Sequence, residues 1–360
     1  MYFPFSRPFY VMAKPCGSSC NLHCRYCYYL SKEKGLMSDA LLEEFVRQFI
    51  ESQTSPNVLF TWHGGEPLLM PLSFYERAMQ LQQRYAGGRH IDNCLQTNGT
   101  LLTAEWCRFF RQHHFLIGIS IDGPQPLHDH YRQQFDATMR GVSLLCEHEV
   151  EWNAMATVNH RNVREPVAFY RFFREMGCRY LQFTPVVEQQ ADGSLTPESV
   201  TAEEWGDFLI ALFDEWVQHD VGHVFVQLFD ATLANWVGVE PSICSMSPTC
   251  GLAPALQPNG NLYSCDHFVV PSHLLGNINR HTITELMYGE QQRRFGQAKR
   301  ETLSEQCRRC QWLFACHGEC PKNRILPGGQ NYLCDGYRRF FAHVAPVMDS
   351  MAEELREQVL

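Results

Sequence analysis

The sequence lacks the features that mark a membrane protein or a nucleic-acid-binding protein. No apolar stretch approaches the roughly 18 residues that a membrane helix needs. Residues 1–7 hold no basic segment followed by an apolar one, so we expect no signal peptide and a cytoplasmic location. The formal net charge is −9 over 360 residues. Nucleic-acid binders carry a basic face, so this charge argues against that class.

Blocks of like charge, internal repeats and low-complexity tracts are also missing, whereas cysteine is abundant, with 16 residues. Disulfides rarely persist in the cytosol, so clustered cysteines there more often bind metals or act in redox chemistry. Four cysteines stand alone in apolar segments, as small core residues do: Cys94, Cys107, Cys146 and Cys178. The others form two groups, one near each end of the chain.

Strand-like and helix-like segments alternate through the first two thirds of the chain, which predicts a parallel sheet. The expected strands cover 9–13, 58–62, 91–96, 116–121, 152–158 and 180–184. The expected helices cover 41–50, 73–84, 103–113, 167–176 and 205–216. After about residue 235 the pattern gives way to a segment rich in Cys, Gly and Pro. There we expect ligand-held clusters to replace a hydrophobic core.

The first cysteine group has CxxxCxxC spacing: Cys20, Cys24 and Cys27. A 4Fe–4S cluster normally has four thiolate ligands. Three on one loop would leave one iron open to chelate the amino and carboxylate groups of S-adenosylmethionine (SAM). A structural zinc site is the alternative, although such sites usually close with CxxC pairs or histidines. Cys16 lies nearby but is less well placed to join this group.

The second group contains eight cysteines, enough for two sets of four ligands. They are Cys244, Cys250, Cys265, Cys307, Cys310, Cys316, Cys320 and Cys334. Two closed iron–sulfur clusters and a pair of structural zinc sites both fit this spacing.

The CxxxCxxC group, with Tyr26 before its last cysteine, resembles the radical SAM superfamily. Three further motifs match that family in order: HGGEP at 63–67, QTNG at 96–99 and SIDGP at 120–124. Each follows an expected strand, and barrel active sites form at the C-terminal ends of strands. Singly, such motifs are more often plain turns, but four in register favour the family. The resemblance implies an α/β fold, a partial (β/α)6 TIM-type barrel.

The second cysteine group resembles the SPASM domain, which carries two auxiliary 4Fe–4S clusters. Carried over in order, the resemblance assigns Cys244, Cys250, Cys265 and Cys320 to one cluster. It assigns Cys307, Cys310, Cys316 and Cys334 to the other. The implied cofactors are therefore three 4Fe–4S clusters and SAM. We expect the barrel over 1–234, the SPASM domain over 235–340 and a C-terminal helix over 341–360.

Runs along essentially the whole chain resemble the anaerobic sulfatase-maturating enzymes: FYVMAKP at 9–15, LQTNGT at 95–100, GISIDGP at 118–124, YSCDH at 263–267 and LGN at 275–277. Such enzymes oxidise a Cys or Ser of an unfolded sulfatase, within a CxPxR-like motif, to Cα-formylglycine. The resemblance implies a sulfatase polypeptide as substrate and an electron donor such as flavodoxin or ferredoxin. Whether this chain prefers Cys or Ser is left open.

Asp266 matches the family's proposed catalytic base. A carboxylate beside a cluster can take the substrate proton after a SAM-derived radical has removed hydrogen from the β-carbon. A loop cap that binds backbone N–H groups is an equal alternative for Asp266. The positions that match the family's cofactor contacts are Tyr26, Tyr29, Gly64, Gly65, Glu66, Ser120, Asp122, Arg132 and Leu181. Tyr29 and Leu181 fit a core role equally well, and Ser120 fits an ordinary strand end.

Two features depart from the family. His63 stands where some relatives have glutamine in the substrate pocket, and the 131–141 segment is shorter than the Gly-rich loop of many relatives. Two other functions stay open from the sequence. One is a SPASM maturase that forms thioether or carbon–carbon crosslinks in a peptide. The other is a non-enzymatic metal-cluster regulator.

Overall fold

The structure is a computed structural model that describes residues 8–359. Residues 1–7, on which the signal-peptide expectation rests, lie outside the described part. The strands are β1 Met12–Ala13, β2 Asn57–Trp62, β3 His90–Thr97, β4 Leu116–Ser120, β5 Trp152–Val158, β6 Tyr180–Pro185, β7 Phe225–Val226, β8 Ala255–Leu256, β9 Asn261–Tyr263 and β10 Leu274–Asn277. The helices are α1 Asp39–Ser52, α2 Leu72–Tyr85, α3 Ala104–Gln112, α4 Gln125–Tyr131, α5 Phe135–Glu147, α6 Pro166–Glu175, α7 Ala202–His219, α8 Gln227–Trp236, α9 Ile283–Tyr288, α10 Glu290–Glu301, α11 Glu305–Arg308, α12 Leu313–Cys316 and α13 Cys334–Val359.

The chain folds into two compact units, each assembled from separate stretches of sequence. The first comprises the residues up to Ser120, Gln133–Trp152 and Gly251–Gln297. The second comprises Ile121–Arg132, Asn153–Cys250 and the residues from Ala298 onwards.

The sheet of the first unit is parallel from β1 to β4, as the alternating pattern predicted. Strand β8 pairs with the other edge of β1, also in parallel, and the antiparallel strands β9 and β10 extend the sheet. These last strands were not predicted, because elements of two to four residues leave no periodicity in the sequence. In the second unit, β5, β6 and β7 are parallel.

Aromatic packing forms the core of the first unit. Ser38 caps α1 by accepting a hydrogen bond from the amide of Leu41. Helix α1 then buries Phe45 and Phe49 against β2, with ring centroids 5.6 and 4.9 Å from Phe60. Burying each such ring contributes about 1.5–3 kcal/mol relative to leaving it exposed. The C-terminal end of β2, where the HGGEP motif begins, is thereby held firmly.

The second unit is built around close packing of α7 on α13. Thr201 and Glu204 form a capping box at the start of α7. A Cβ at Gly336 would lie 2.1 Å from the carbonyl oxygen of Ala202, and one at Gly206 would lie 2.8 Å from the Cα of Gly336. The two helices therefore touch through their backbones. This contact fixes the start of α13, which is Cys334.

Several expectations differ from the structure in detail. The first strand, expected over 9–13, is assigned only over Met12–Ala13. The 251–297 stretch was expected to lack a core, but Ile283 and Met287 are fully buried there. Gln48 of α1 ties this stretch to the first unit, because its side chain bonds to the carbonyl of Ile278 and the amide of Ile283, both at 2.8 Å.

The 131–141 segment is mostly helical. Gln133 and Gln134 adopt positive φ values of 74° and 59°, and α5 follows directly. The C-terminal helix begins at Cys334, earlier than residue 341. The domain boundaries after 234 and 340 stay a prediction. Among the described residues, none of the helices combines the length and apolar character needed to cross a membrane.

Candidate active site

The loop that carries Cys20, Cys24 and Cys27 follows β1 and is braced by the HGGEP motif. The amide of Gly65 donates to the carbonyl of Gly17 at 2.7 Å, and that of Glu66 donates to Ser19 at 2.8 Å. A Cβ at Gly65 would lie 2.0 Å from the carbonyl oxygen of Ser19. Glycine is therefore required here so that the motif can lie against the cysteine loop.

Glu66 joins this motif to the QTNG motif. Its carboxylate is fully buried. One oxygen accepts from the hydroxyl of Thr97 at 2.7 Å and the amide of Leu68 at 2.9 Å, and the other accepts from the amide of Asn98 at 2.9 Å. The side chain is thus engaged by the protein itself, and its predicted contact with SAM stays a prediction.

Asn98 reaches the cysteine loop directly. Its side-chain amide lies 3.8 Å from the sulfur of Cys20 and donates to the side chain of Asn21 at 2.9 Å. Hydrogen bonds to cluster sulfurs are one means by which proteins tune iron–sulfur potentials. Asn98 belongs to the QTNG motif, and no pattern in the sequence indicates its contact with Cys20.

Cys16 is separated from the other three cysteines by its bonding. It is fully buried, and its thiol donates to the carbonyl of Glu66 at 3.1 Å. Burial, reinforced by the charge of Glu66, raises the pKa of the Cys16 thiol to about 12. The Cys16 thiol is therefore engaged by the backbone of the HGGEP motif, and its exclusion from the cluster ligands stays a prediction.

Asp266 lies on a short 3₁₀ turn directly after Cys265 and is buried with charged and polar partners. Its carboxylate forms an ion pair with the ammonium group of Lys14 and accepts a hydrogen bond from the hydroxyl of Tyr28. Burial opposes its ionisation, but the charge of Lys14 holds the pKa of Asp266 below its usual range. The carboxylate is therefore ionised and is held by side chains, unlike the loop cap considered from the sequence.

His63 belongs to the same group of side chains. Its Nδ1 accepts from Lys14 at 3.2 Å and from the amide of Gly64 at 2.8 Å. Burial and the charge of Lys14 lower the pKa of His63 to about 4. The ring is thus neutral and carries its proton on Nε2. Nothing in the sequence pattern indicates that Lys14 lies in this group of side chains.

The remaining predicted cofactor contacts of the first unit differ in exposure. Tyr29 is buried, and its hydroxyl donates to Gln257 at 2.8 Å. Ser120 accepts from the side chain of Gln96 at 3.0 Å. Tyr26 lies in the turn of the cysteine loop and is half-buried.

Two of the predicted contacts of the second unit form a buried ion pair. The carboxylate of Asp122 accepts from Nε of Arg132 at 3.2 Å and from the amide of Thr157 at 2.9 Å. Leu181 is fully buried on β6, where it pairs with Ala154 of β5.

Four cysteines of the second unit line one cavity of about 520 Å³: Cys307, Cys310, Cys316 and Cys334. Residues on α11, α12 and α13 and in the segment between α11 and α12 form its walls, including Tyr337 and Trp312. Cys320 is not part of this lining, although it follows Cys316 by only four residues. Positive φ values at His317, Gly318 and Glu319 turn the chain between the two cysteines. The four cysteines that line this cavity are those that the resemblance assigned to one cluster, and that assignment stays a prediction.

The other predicted set is divided between the units. Cys265 belongs to the first unit, whereas Cys244, Cys250 and Cys320 belong to the second. The buried Lys299 holds the loop at Cys244 by donating to the carbonyls of Cys244 and Ser245, both at 2.7 Å. Within residues 8–359, no group of three or more His, Cys, Asp or Glu side chains is placed to hold a single metal ion.

Comparisons with known proteins agree with these features. The family model of the radical SAM superfamily matches residues 15–173, and that of an iron–sulfur cluster-binding domain, SPASM, matches residues 251–311. The solved structure of anSMEcpe with bound AdoMet and Cp18Cys peptide superposes with a TM-score of 0.89 at 29% identity, covering 97% of this chain and 100% of that chain. The expected radical SAM fold with a SPASM domain is confirmed, as are 4Fe–4S clusters and SAM as cofactors.

Curated relatives extend the likeness over nearly the whole chain. A serine-type anaerobic sulfatase-maturating enzyme of Bacteroides thetaiotaomicron is 52% identical, over 99% of this chain and 94% of the relative. A cysteine-type enzyme of Clostridium perfringens is 31% identical, over 97% of this chain and 100% of the relative. By this identity and coverage, the chain belongs to the family of anaerobic sulfatase-maturating enzymes, and it is a radical SAM enzyme.

Proposed function

We propose that this enzyme oxidises a serine of an unfolded sulfatase polypeptide to Cα-formylglycine. The observation that carries the choice of serine is the difference in identity between the two kinds of relative. Serine-type enzymes of Bacteroides thetaiotaomicron and Klebsiella aerogenes are 52% and 37% identical to this chain, whereas the cysteine-type enzyme of Clostridium perfringens is 31% identical. A peptide substrate is supported by the peptide bound in the solved relative.

The cysteines are proposed to hold three 4Fe–4S clusters. Cys20, Cys24 and Cys27 would hold the cluster that binds SAM. One auxiliary cluster would be held by Cys244, Cys250, Cys265 and Cys320, and the other by Cys307, Cys310, Cys316 and Cys334. The cavity lined by the last four supports this division. When bound, these groups supply the SAM-derived radical that removes a hydrogen atom from the β-carbon, and they accept the electron released later.

Asp266 is proposed as the base in this reaction. Once the β-carbon has lost its hydrogen atom, the serine hydroxyl must lose a proton and the substrate must lose an electron for the aldehyde to form. The carboxylate of Asp266 is ionised and is bonded to the side chains of Lys14 and Tyr28. It can accept the hydroxyl proton as the substrate loses its electron, because the oxidised hydroxyl group is then strongly acidic. Hydrogen atom, proton and electron together complete the two-electron oxidation.

The remaining partners rest on the resemblance alone. A small redox protein such as flavodoxin or ferredoxin is proposed as the electron donor. The cytoplasmic location expected from the sequence stays a prediction.

A pair of matched peptides tests the proposal. Two CxPxR-like peptides, identical except for Ser or Cys at the target position, are incubated anaerobically with the reconstituted enzyme, SAM and dithionite. Mass spectrometry with an aldehyde-specific tag then gives kcat/KM for each. We expect formylglycine from the serine peptide with the higher kcat/KM, and none with Cys24→Ala, which lacks a ligand of the SAM-binding cluster. A higher kcat/KM for the cysteine peptide would overturn the assignment to serine.

A further inference from the structure

We propose that Lys14 is a positioning residue that fixes the orientation of the Asp266 carboxylate for proton transfer. This inference rests on the proposed function, because it concerns the base of that reaction.

The burial of Lys14 is the first observation. Lys14 follows β1, its amide donates to the carbonyl of Leu256 at 2.9 Å, and its side chain is fully buried. Lysine is rarely buried completely, since the ammonium group must give up its hydration and its side-chain freedom. A lysine at such a place therefore needs strong partners.

The partners of the ammonium group are the second observation. It forms an ion pair with Oδ1 of Asp266 and donates to Nδ1 of His63 at 3.2 Å. It also lies over the ring of Tyr29, 4.4 Å from the ring centroid, as in a cation–π interaction. The ring of His63 is itself fixed by the amide of Gly64. These contacts leave the ammonium group little freedom to move.

The contacts of Asp266 are the third observation. Lys14 contacts Oδ1 and the hydroxyl of Tyr28 donates to Oδ2, so each carboxylate oxygen is oriented by a different side chain. Tyr28 adjoins the predicted ligand Cys27, whereas Lys14 lies outside the cysteine triad. Lys14 therefore orients the carboxylate from the end of β1, whereas Tyr28 orients it from the cysteine loop. Displacing a reacting group by about 1 Å can lower a rate by about 10²-fold.

The test uses the reconstituted full-length enzyme with the variants Lys14→Met, Lys14→Arg, Asp266→Asn and the double variant K14M/D266N. Lys34→Met, at an exposed lysine of the same segment, is the control for losing a lysine as such. The measurements are iron content, SAM cleavage without peptide, peptide Kd without reductant, and kcat and KM for aldehyde formation.

We expect Lys14→Met to lower kcat by about 10²-fold while peptide Kd, KM and SAM cleavage stay at wild-type values. Lys14→Arg should restore kcat in part, because it returns the charge with a different geometry. The double variant should match Asp266→Asn, since Lys14 acts only through Asp266.

Three outcomes would overturn the inference: wild-type kcat in both Lys14 variants, multiplied losses in the double variant, or iron loss in both Lys14 variants, which would indicate a structural role. If only Lys14→Met loses iron, the kcat of Lys14→Arg is compared with that of the wild-type enzyme. A lowered kcat supports the inference, and a wild-type kcat overturns it. Failure of the wild-type enzyme to form aldehyde would instead reject the proposed function.

Discussion

Asp122 in the second unit and Asp266 in the first are both buried and paired with a cation, and they nevertheless differ in how they are held. In the second unit, Asp122 is bonded to the backbone amide of Thr157 and to the guanidinium of Arg132. In the first, the carboxylate of Asp266 is bonded to two side chains, those of Lys14 and Tyr28. A carboxylate anchored to the backbone is part of the scaffold. A carboxylate held by side chains has a fixed direction but is not bonded to the backbone, which suits a group that must take a proton.

The cations that pair with these aspartates, Arg132 and Lys14, also differ in how firmly they are held. Arginine stays protonated in proteins and forms a rigid fork of donors. Lysine is a compact charge on a flexible stem. The pair in the second unit is therefore held in one geometry by the cation itself, whereas the position of Lys14 depends on its contacts with His63 and Tyr29.

The largest effect expected from this contrast is the loss of catalysis in Asp266→Asn. Asparagine keeps the size of the side chain but does not accept a proton at neutral pH. Loss of a general base commonly lowers a rate by about 10²–10⁴-fold, so aldehyde formation should fall by that factor while SAM cleavage without peptide persists. Quantitative mass spectrometry of both products measures this. Iron content is the control, because Cys265 is adjacent, and an unchanged aldehyde rate at full iron would make Asp266 a structural residue.

The corresponding change in the second unit should affect stability. Asp122→Asn removes the carboxylate that pairs with the buried guanidinium of Arg132, which should lower the free energy of unfolding by about 3–5 kcal/mol. Denaturant unfolding followed by circular dichroism measures this. Asp207→Asn is the matched control. Its ion pair with Arg339 is exposed, and such pairs contribute about 0–1 kcal/mol. Equal effects of the two changes would contradict the scaffold role of Asp122.

A smaller loss is expected when the second donor to Asp266 is removed. Tyr28→Phe deletes the hydroxyl that bonds to Oδ2 but keeps the ring beside His267, whose centroid lies 5.3 Å away. With Lys14 still in place, we expect kcat to fall about tenfold, which corresponds to about 1.4 kcal/mol. Steady-state kinetics at equal iron content measures this. A loss as large as that of Asp266→Asn would show that Tyr28, rather than Lys14, governs the carboxylate.

The smallest effect is expected for Arg132→Lys. Lysine keeps the charge opposite Asp122 but loses the donor that reaches the hydroxyl of Thr157 at 3.4 Å. One neutral hydrogen bond contributes about 0.5–1.5 kcal/mol, so the free energy of unfolding should drop by about that amount. Denaturant unfolding again gives the value. A drop as large as that of Asp122→Asn would mean that the fork of the guanidinium, and not its charge, stabilises the pair.

The sequence predicted those parts of the fold that have a clear periodicity. Val58, Phe60 and Trp62 alternate with more exposed residues on β2 and are all buried, so this strand could be predicted within one residue. Strands β8 to β10 are too short to show any period, and their place in the first unit depends on pairing with β1. The cysteine groups could be singled out because the spacing of metal ligands is local in sequence, and their assignment to clusters stays a prediction.

The positions of the charged side chains could not be predicted in the same way. Lys14 is a single lysine that follows a short strand. Nothing nearby in the sequence indicates that it is buried or that it contacts Asp266. Asp122 and Asp266 both lie within a family motif, and only their bonding separates the proposed scaffold role from the proposed role as base. Contacts between residues far apart in the chain decide such roles, and a single sequence does not contain them.

The most direct test of the account follows the hydrogen atom itself. A serine peptide carrying deuterium on the β-carbon of its target residue is incubated with the enzyme, SAM and dithionite, and the 5′-deoxyadenosine and the peptide are analysed by mass spectrometry. The account predicts deuterium in 5′-deoxyadenosine and a peptide that reacts with an aldehyde tag, with only the tagged product suppressed in Asp266→Asn. Deuterium transfer with a crosslinked, untagged peptide from the wild-type enzyme would contradict it.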